Sequence, residues 1–391
     1  MPREAERLAA GARRGRRVRG PGRALARFWT VVIVVVGGGA ALLQWLGPPP
    51  PPPHAPAQQA AAAPARAPAN PPANRPANPP GAPAPVAGAV PTAAPLGHPG
   101  PIAPPDKLLL EPSAANPKAL LPRIGPGGAE PMQVYAAWFN TADPRPRIGL
   151  VVAGIGESDE ESEEAIDLPG PVTLAFSPYA VDPGKLLSEA RAKGHEILIS
   201  LPLEPEGYPL NNAGDEALLV GAPASQNDER LDWALSRIEG YVGATGAMDG
   251  MYGERFAAAP DLLAGLERDL AARGLLYIDP RAGQPNPKWV TGRTADVVVD
   301  QPPVGPDINA NLEKLETIAR ERGAALGVVG WPGPATLAQL ADWAGTLAAK
   351  GFVLAPVTAL VRPPPPAPSA AQAAKPQAGE PQAGKPQAGK P

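Results

Sequence analysis

Between residues 47 and 105 every second or third residue is a proline: 22 of 59 positions, with 18 alanines among the rest. Such a stretch buries too little apolar surface to offset the entropy of ordering it. Pro-rich chain prefers extended polyproline II, near 3.1 Å per residue. The segment, with six consecutive prolines at 48–53, therefore reads as a semi-rigid stalk. Residues 363–391 repeat Pro-Gln-Ala-Gly-Glu/Lys, and the composition predicts a disordered tail. Residues 106–134 have little periodicity and read as a transition closing the linker. The folded unit is thereby confined to 135–362, an ordinary size for one domain.

Ahead of the stalk, residues 28–46 carry no charge, and their only polar side chains are Thr30 and Gln44. As a helix the run spans about 28 Å, close to the hydrocarbon thickness of a bilayer. Trp29 and Trp45 sit near its ends, where indoles favour the interface. Residues 1–27 hold nine arginines against Glu4 and Glu6, on a chain whose net charge is −3. A basic head can mark a nucleic-acid partner, but the adjacent span explains it fully, so no nucleic acid is expected. The expectation is a single-pass signal-anchor, N-terminus cytoplasmic. The run is long for a cleaved signal peptide and lacks a clear Ala-x-Ala. In a Gram-negative bacterium this places the protein at the inner membrane and its folded domain in the periplasm.

The chain has no cysteine and three histidines, which excludes disulfides and thiolate metal sites. Only His195 lies in the folded unit. Within that unit short apolar runs at 148–152, 172–176, 196–200, 241–244, 275–278, 297–299, 326–329 and 352–355 read as strands. They alternate with helical patterns at 183–193, 227–239, 261–273, 308–322 and 336–350. Gly194, Gly274, Gly323 and Gly351 each fall just past a helix, where a left-handed cap is expected. This alternation implies an α/β parallel sheet, either doubly wound or a β/α barrel, with functional loops at the strand C-termini.

The landmarks then become specific. They are Leu168-Pro169, Pro171-Val172-Thr173-Leu174-Ala175-Phe176-Ser177-Pro178-Tyr179, Ala190-Arg191-Ala192-Lys193-Gly194-His195-Glu196, and Leu201-Pro202-Leu203-Glu204-Pro205. Gly240-Tyr241-Val242-Gly243, Leu275-Leu276-Tyr277-Ile278-Asp279, Asp296-Val297-Val298-Val299-Asp300 and Pro334-Ala335-Thr336-Leu337 follow in order. Over 147–361 the chain resembles the divergent polysaccharide deacetylase family of bacterial envelope proteins. The resemblance implies a distorted, TIM-like β/α barrel and an ancestral hydrolase that removes acetyl groups from amino sugars. It also implies zinc held by an Asp and two His, with a second Asp as general base.

Here those positions are empty of ligands. The family's Asp-Asp-x-Gly falls on Ala153-Gly154-Ile155-Gly156. Its Asn-His-Met falls on Gly246-Ala247-Met248, followed by an insertion of about four residues before Gly253-Glu254-Arg255-Phe256. Its late Gly-His-Pro falls on Gly330-Trp331-Pro332. Ala153, Gly154, Ala247 and Trp331 are thus degenerate metal positions, and the sequence supports no cofactor. Glu204, Asp279 and Asp300 remain at strand ends, either converging over the mouth or bracing loops. Trp331 can stack on a sugar ring or plug the cavity; Tyr208, Tyr252 and Trp289 extend a possible aromatic platform. His195 opens a strand at the opposite end and reads as structural. The expectation is a pseudoenzyme of carbohydrate or cell-envelope metabolism, binding an envelope glycan such as peptidoglycan, or a protein. The alternatives are a hydrolase running on the three carboxylates around a Mg²⁺- or Ca²⁺-like ion, and a scaffold recruiting partners through its Pro-rich stalk.

Overall fold

In the computed structural model the described residues are 97, 99–114 and 116–364. The predicted span at 28–46, the basic head, most of the stalk and the tail beyond 364 lie outside them. Among the described residues no helix is long and apolar enough to cross a membrane.

The chain forms a curled parallel sheet wrapped by helices. After a short antiparallel pair, β1 (Leu110–Pro112) and β2 (Leu120–Pro122), come β3 (Arg147–Ile155), β4 (Thr173–Phe176), β5 (Ile197–Ser200), β6 (Gly243–Thr245) and β7 (Leu276–Asp279). Then come β8 (Gly292–Thr294), β9 (Val297–Val298), β10 (Ala324–Val329) and β11 (Val353–Leu354). The order is β8-β7-β6-β5-β4-β3-β10-β9, with β11 beside the start of β3. Every pairing in this sheet is parallel. The two edges meet through the sequence itself. Ala295 N donates to Asp279 O on β7, and Asp296 N to Leu326 O on β10, both at 2.8 Å. Tight curl needs close backbone approach: a Cβ on Gly243 would lie 2.3 Å from Leu276 O, and one on Gly292 2.3 Å from Tyr277 O.

Helix α1 (Pro131–Val134) precedes β3, and the crossovers carry α2 (Asp159–Ile166), α3 (Gly184–Lys193), α4 (Ala224–Leu235) and α5 (Glu254–Ala257). Completing the set are α6 (Pro260–Ala272), α7 (Gly305–Arg322) and α8 (Pro334–Thr346). Strand side chains alternate between two apolar clusters. Leu150, Leu174, Ile199 and Tyr277 pack outward against Leu186, Leu231, Leu266, Leu312 and Leu340 of the helices. Val151, Ala153, Ala175, Leu198, Leu276, Ile278 and Val328 point inward. The predicted glycine caps hold, with φ between +70° and +86° at Gly194, Gly274, Gly323 and Gly351.

The segment before 135 is more than a transition. Ile102, Leu109, Tyr135 and Phe139 belong to the inner cluster and cover the N-terminal end of the sheet. Ile102 N donates to Arg191 O and Met132 N to Gly274 O. Burying a side chain of this size contributes roughly 1.5–3 kcal/mol. The segment lacks periodicity because it is an irregular cover touching the sheet end at scattered points. Glu196 clasps it from within, accepting from Ala137 N at 3.0 Å and from Thr358 N at 3.1 Å, with the Thr358 hydroxyl as a third donor. Burial pushes this carboxyl up to about 7.

Candidate functional site at the strand C-termini

The ends of β3, β6 and β10 converge. A Cβ on Gly154 would lie 3.3 Å from Pro332 Cδ and 3.6 Å from Asp249 Oδ1. Gly250 N donates to Gly330 O at 3.0 Å, and the Trp331 ring lies beside Gly250. The insertion of about four residues that the sequence marks between Met248 and Gly253 contains a hairpin tip. Met248 and Met251 exchange both backbone hydrogen bonds, at 2.9 and 2.8 Å. The two residues between them, Asp249 and Gly250, have φ of 47° and 72°. Positive φ at both is what a type I′ turn demands, and Asp-Gly is among its preferred pairs.

The turn holds Asp249 against Glu157, the residue after Gly156. Burial and the adjacent Glu157 charge and hydrogen bond push Asp249 up to about 6. Ser177, at the end of β4, donates to Glu157 Oε1 at 2.6 Å. The pair lies in an open cleft of about 820 Å³ that also includes Tyr179, Asn212, Asp215 and Met248. A carboxyl whose pKa is raised, beside a second carboxyl, can supply an acid and a base in one place. The sequence reading missed both. The Asp-Gly dipeptide inside the insertion signalled the turn that carries Asp249; no sequence signal marked Glu157.

A model of the divergent polysaccharide deacetylase family matches residues 150–361. The chain belongs to that family. A solved structure of an uncharacterized protein from Agrobacterium tumefaciens is 34% identical, with a TM-score of 0.57, covering 62% of this chain and all of the other. An uncharacterized Haemophilus influenzae protein is 24% identical over 204 residues, half of this chain and 69% of its own. The catalytic domain of a Eubacterium rectale peptidoglycan N-acetylglucosamine deacetylase, at 15% identity and a TM-score of 0.35 over 54% of this chain and 88% of the other, is a slighter likeness.

The deacetylase family's zinc does not fit the residues present. Ala153 and Ala247 are fully buried, offering methyl groups. Gly154 offers nothing, and Trp331 is 61% exposed at the rim. That exposure favours an open aromatic face over a plug. Among the described residues no group of three or more His, Asp or Glu side chains is placed to hold one ion. His195 is fully buried between carbonyls, Nδ1 2.7 Å from Val172 O and Nε2 3.0 Å from Ile166 O, and burial pushes its pKa down.

The three expected carboxylates do not gather over the mouth. Glu204 pairs with Arg255 at 2.9 Å and accepts from Val220 N at 2.6 Å. Asp279 follows the inward-facing Ile278, so it turns outward, where Arg281 grips it through Nη2 at 2.6 Å and Nε at 3.0 Å. Asp300 accepts from Trp331 N at 2.6 Å and from Gly330 N at 2.9 Å, and burial pushes its pKa up. Each is spent on its own partners, which is the loop-bracing role. The aromatics are equally scattered. Tyr252 is buried with its hydroxyl 3.5 Å from Asp300. Tyr208 is half-buried in the loop after β5. Trp289 lies exposed between β7 and β8.

Proposed function

We propose that this chain is a membrane-anchored, envelope-facing member of the family that binds a glycan such as peptidoglycan, or a protein partner, without zinc-dependent deacetylation. One observation carries the reading. The matching strand ends meet at a single mouth, yet the residues there are Ala153, Gly154, Ala247 and Trp331. A catalytic zinc takes about three protein ligands plus a water, and these supply none. Binding suits what remains. The exposed Trp331 face offers a stacking surface to a sugar ring, and the cleft beside it presents carboxyl, hydroxyl and amide groups to hydroxyls. Anchorage rests on the uncharged run at 28–46 and the arginines before it, which support a domain facing away from the cytoplasm. Equilibrium dialysis of the purified full chain against zinc tests the reading. Less than a tenth of an ion per chain is expected; one ion bound tightly refutes it.

A second reading has its own support in Glu157 and Asp249. Below about pH 6 Asp249 holds a proton while Glu157 is positioned by Ser177. That is the acid–base division a carboxylate-only hydrolase needs, in which one carboxyl protonates a leaving group and the other takes a proton from water. Hydrolysis of a glycan that stops in Asp249→Asn would establish it in place of the binding role.

A further inference from the structure

Away from the mouth, a groove of about 720 Å³ runs between α5–α6 and the loop joining β7 to β8. Trp289 stands on this loop 46% exposed, while the next residue, Val290, is buried. Arg268 lies over the ring, its guanidinium carbon 4.4 Å from the centroid, so one face is backed by a cation.

The loop is long and exposed, yet pinned along its length. Arg281 N donates to Asp279 Oδ1 at 3.0 Å. Thr294 donates through N to Asn286 Oδ1 at 2.9 Å and through its hydroxyl to Pro285 O at 2.8 Å. Lys288 N and Trp289 N both donate at 2.9 Å to one oxygen of Glu267, a carboxylate only 4% exposed. A buried carboxylate thus fixes the backbone under an indole left in solvent. Pre-positioned aromatics lose little conformational freedom on binding, which favours a ligand.

The lining identifies the ligand by chemistry. Glu254, Asp261 and Glu267 balance Arg268, Arg281 and Lys288, so the groove attracts neither a polyanion nor a polycation. It offers acceptors and donors together, beside an apolar strip that includes Pro260 and Leu263. A ring with one apolar face and a hydroxyl rim satisfies both. We propose that this groove is a saccharide subsite for a neutral pyranose chain, with Trp289 as the stacking platform. It stands apart from the mouth, and its fate does not depend on whether the mouth binds or hydrolyses.

The test is calorimetric titration of the full chain with the tetramer of β-1,4-linked N-acetylglucosamine. Trp289→Ala should weaken binding at least tenfold. Trp289→Phe, which keeps a flat ring, should stay within threefold of the parent. Unchanged melting of Trp289→Ala, expected for an exposed side chain, shows that a loss is local. Parent-like affinity in Trp289→Ala overturns the proposal, as does no binding by the parent. A synthetic peptide of residues 71–85 binding at Trp289 while the tetramer does not would replace the saccharide with a proline-rich ligand and overturn it equally.

Discussion

The carboxyl of Asp249, at the hairpin tip after β6, shares a hydrogen bond with that of Glu157, just past β3. Two strand ends at the mouth thereby bring two carboxyls together. With Asp159 and Asp215 also lining the cleft and no Lys or Arg there, a second negative charge is disfavoured. Carboxyl-carbon NMR should find Asp249 titrating near pH 6, and Glu157→Gln should lower that midpoint by removing the like charge. A midpoint near 4 in the parent would show that the pair does not form.

Glu196 gives the stability profile its sign. Its folded pKa, about 7, lies above the usual 4.5. The unfolded chain therefore releases the proton first as pH rises. The contribution is complete below pH 4.5 and is lost by about pH 7, on the order of 3 kcal/mol. Urea unfolding should show the parent losing stability across this window and Glu196→Gln showing a shallower decline, the remainder coming from Asp249. Identical pH profiles would contradict the assignment.

Restoring the family's carboxylate at position 154 should fail. Gly154 has φ of +79°, and Pro332 Cδ leaves only 3.3 Å for a Cβ. A non-glycine residue there costs about 1–2 kcal/mol. Gly154→Asp is expected to unfold at lower urea and to gain no zinc. Unchanged stability would mean that the mouth relaxes freely.

Asp300 should prove a brace. Asp300→Ala leaves the Gly330 and Trp331 N–H groups without their acceptor, a loss of about 2 kcal/mol or more. Thermal melting should show it, whereas Glu157→Gln, at the partly open cleft, should melt close to the parent. Equal melting of Asp300→Ala and parent would reopen a role for Asp300 at the mouth.

Much of the fold was legible. All eight predicted strand cores begin or end within two residues of those observed because buried parallel strands read as apolar runs, and glycine caps marked the helix ends. The strand Gly292–Thr294 escaped because Gly-Arg-Thr has no apolar run; its glycine serves backbone approach. The cover formed by Ile102, Leu109 and Tyr135 escaped because isolated apolar residues on irregular chain carry no period. At the site, the absences at 153, 154, 247 and 331 were readable residue by residue. The presence of Asp249 beside Glu157 was not, since 92 residues separate them and only the turn brings them together. Carboxylates at strand ends looked like candidates because sequence position shows neither side-chain direction nor partners such as Arg255 and Arg281.

Acetate release from an N-acetylated glycan, measured on the full chain with zinc supplied and again with a chelator, tests the central claim most directly. The account predicts no release above the protein-free rate under either condition, because Ala153, Gly154, Ala247 and Trp331 hold neither the ion nor the water's base. Release that zinc supports and the chelator abolishes would contradict it.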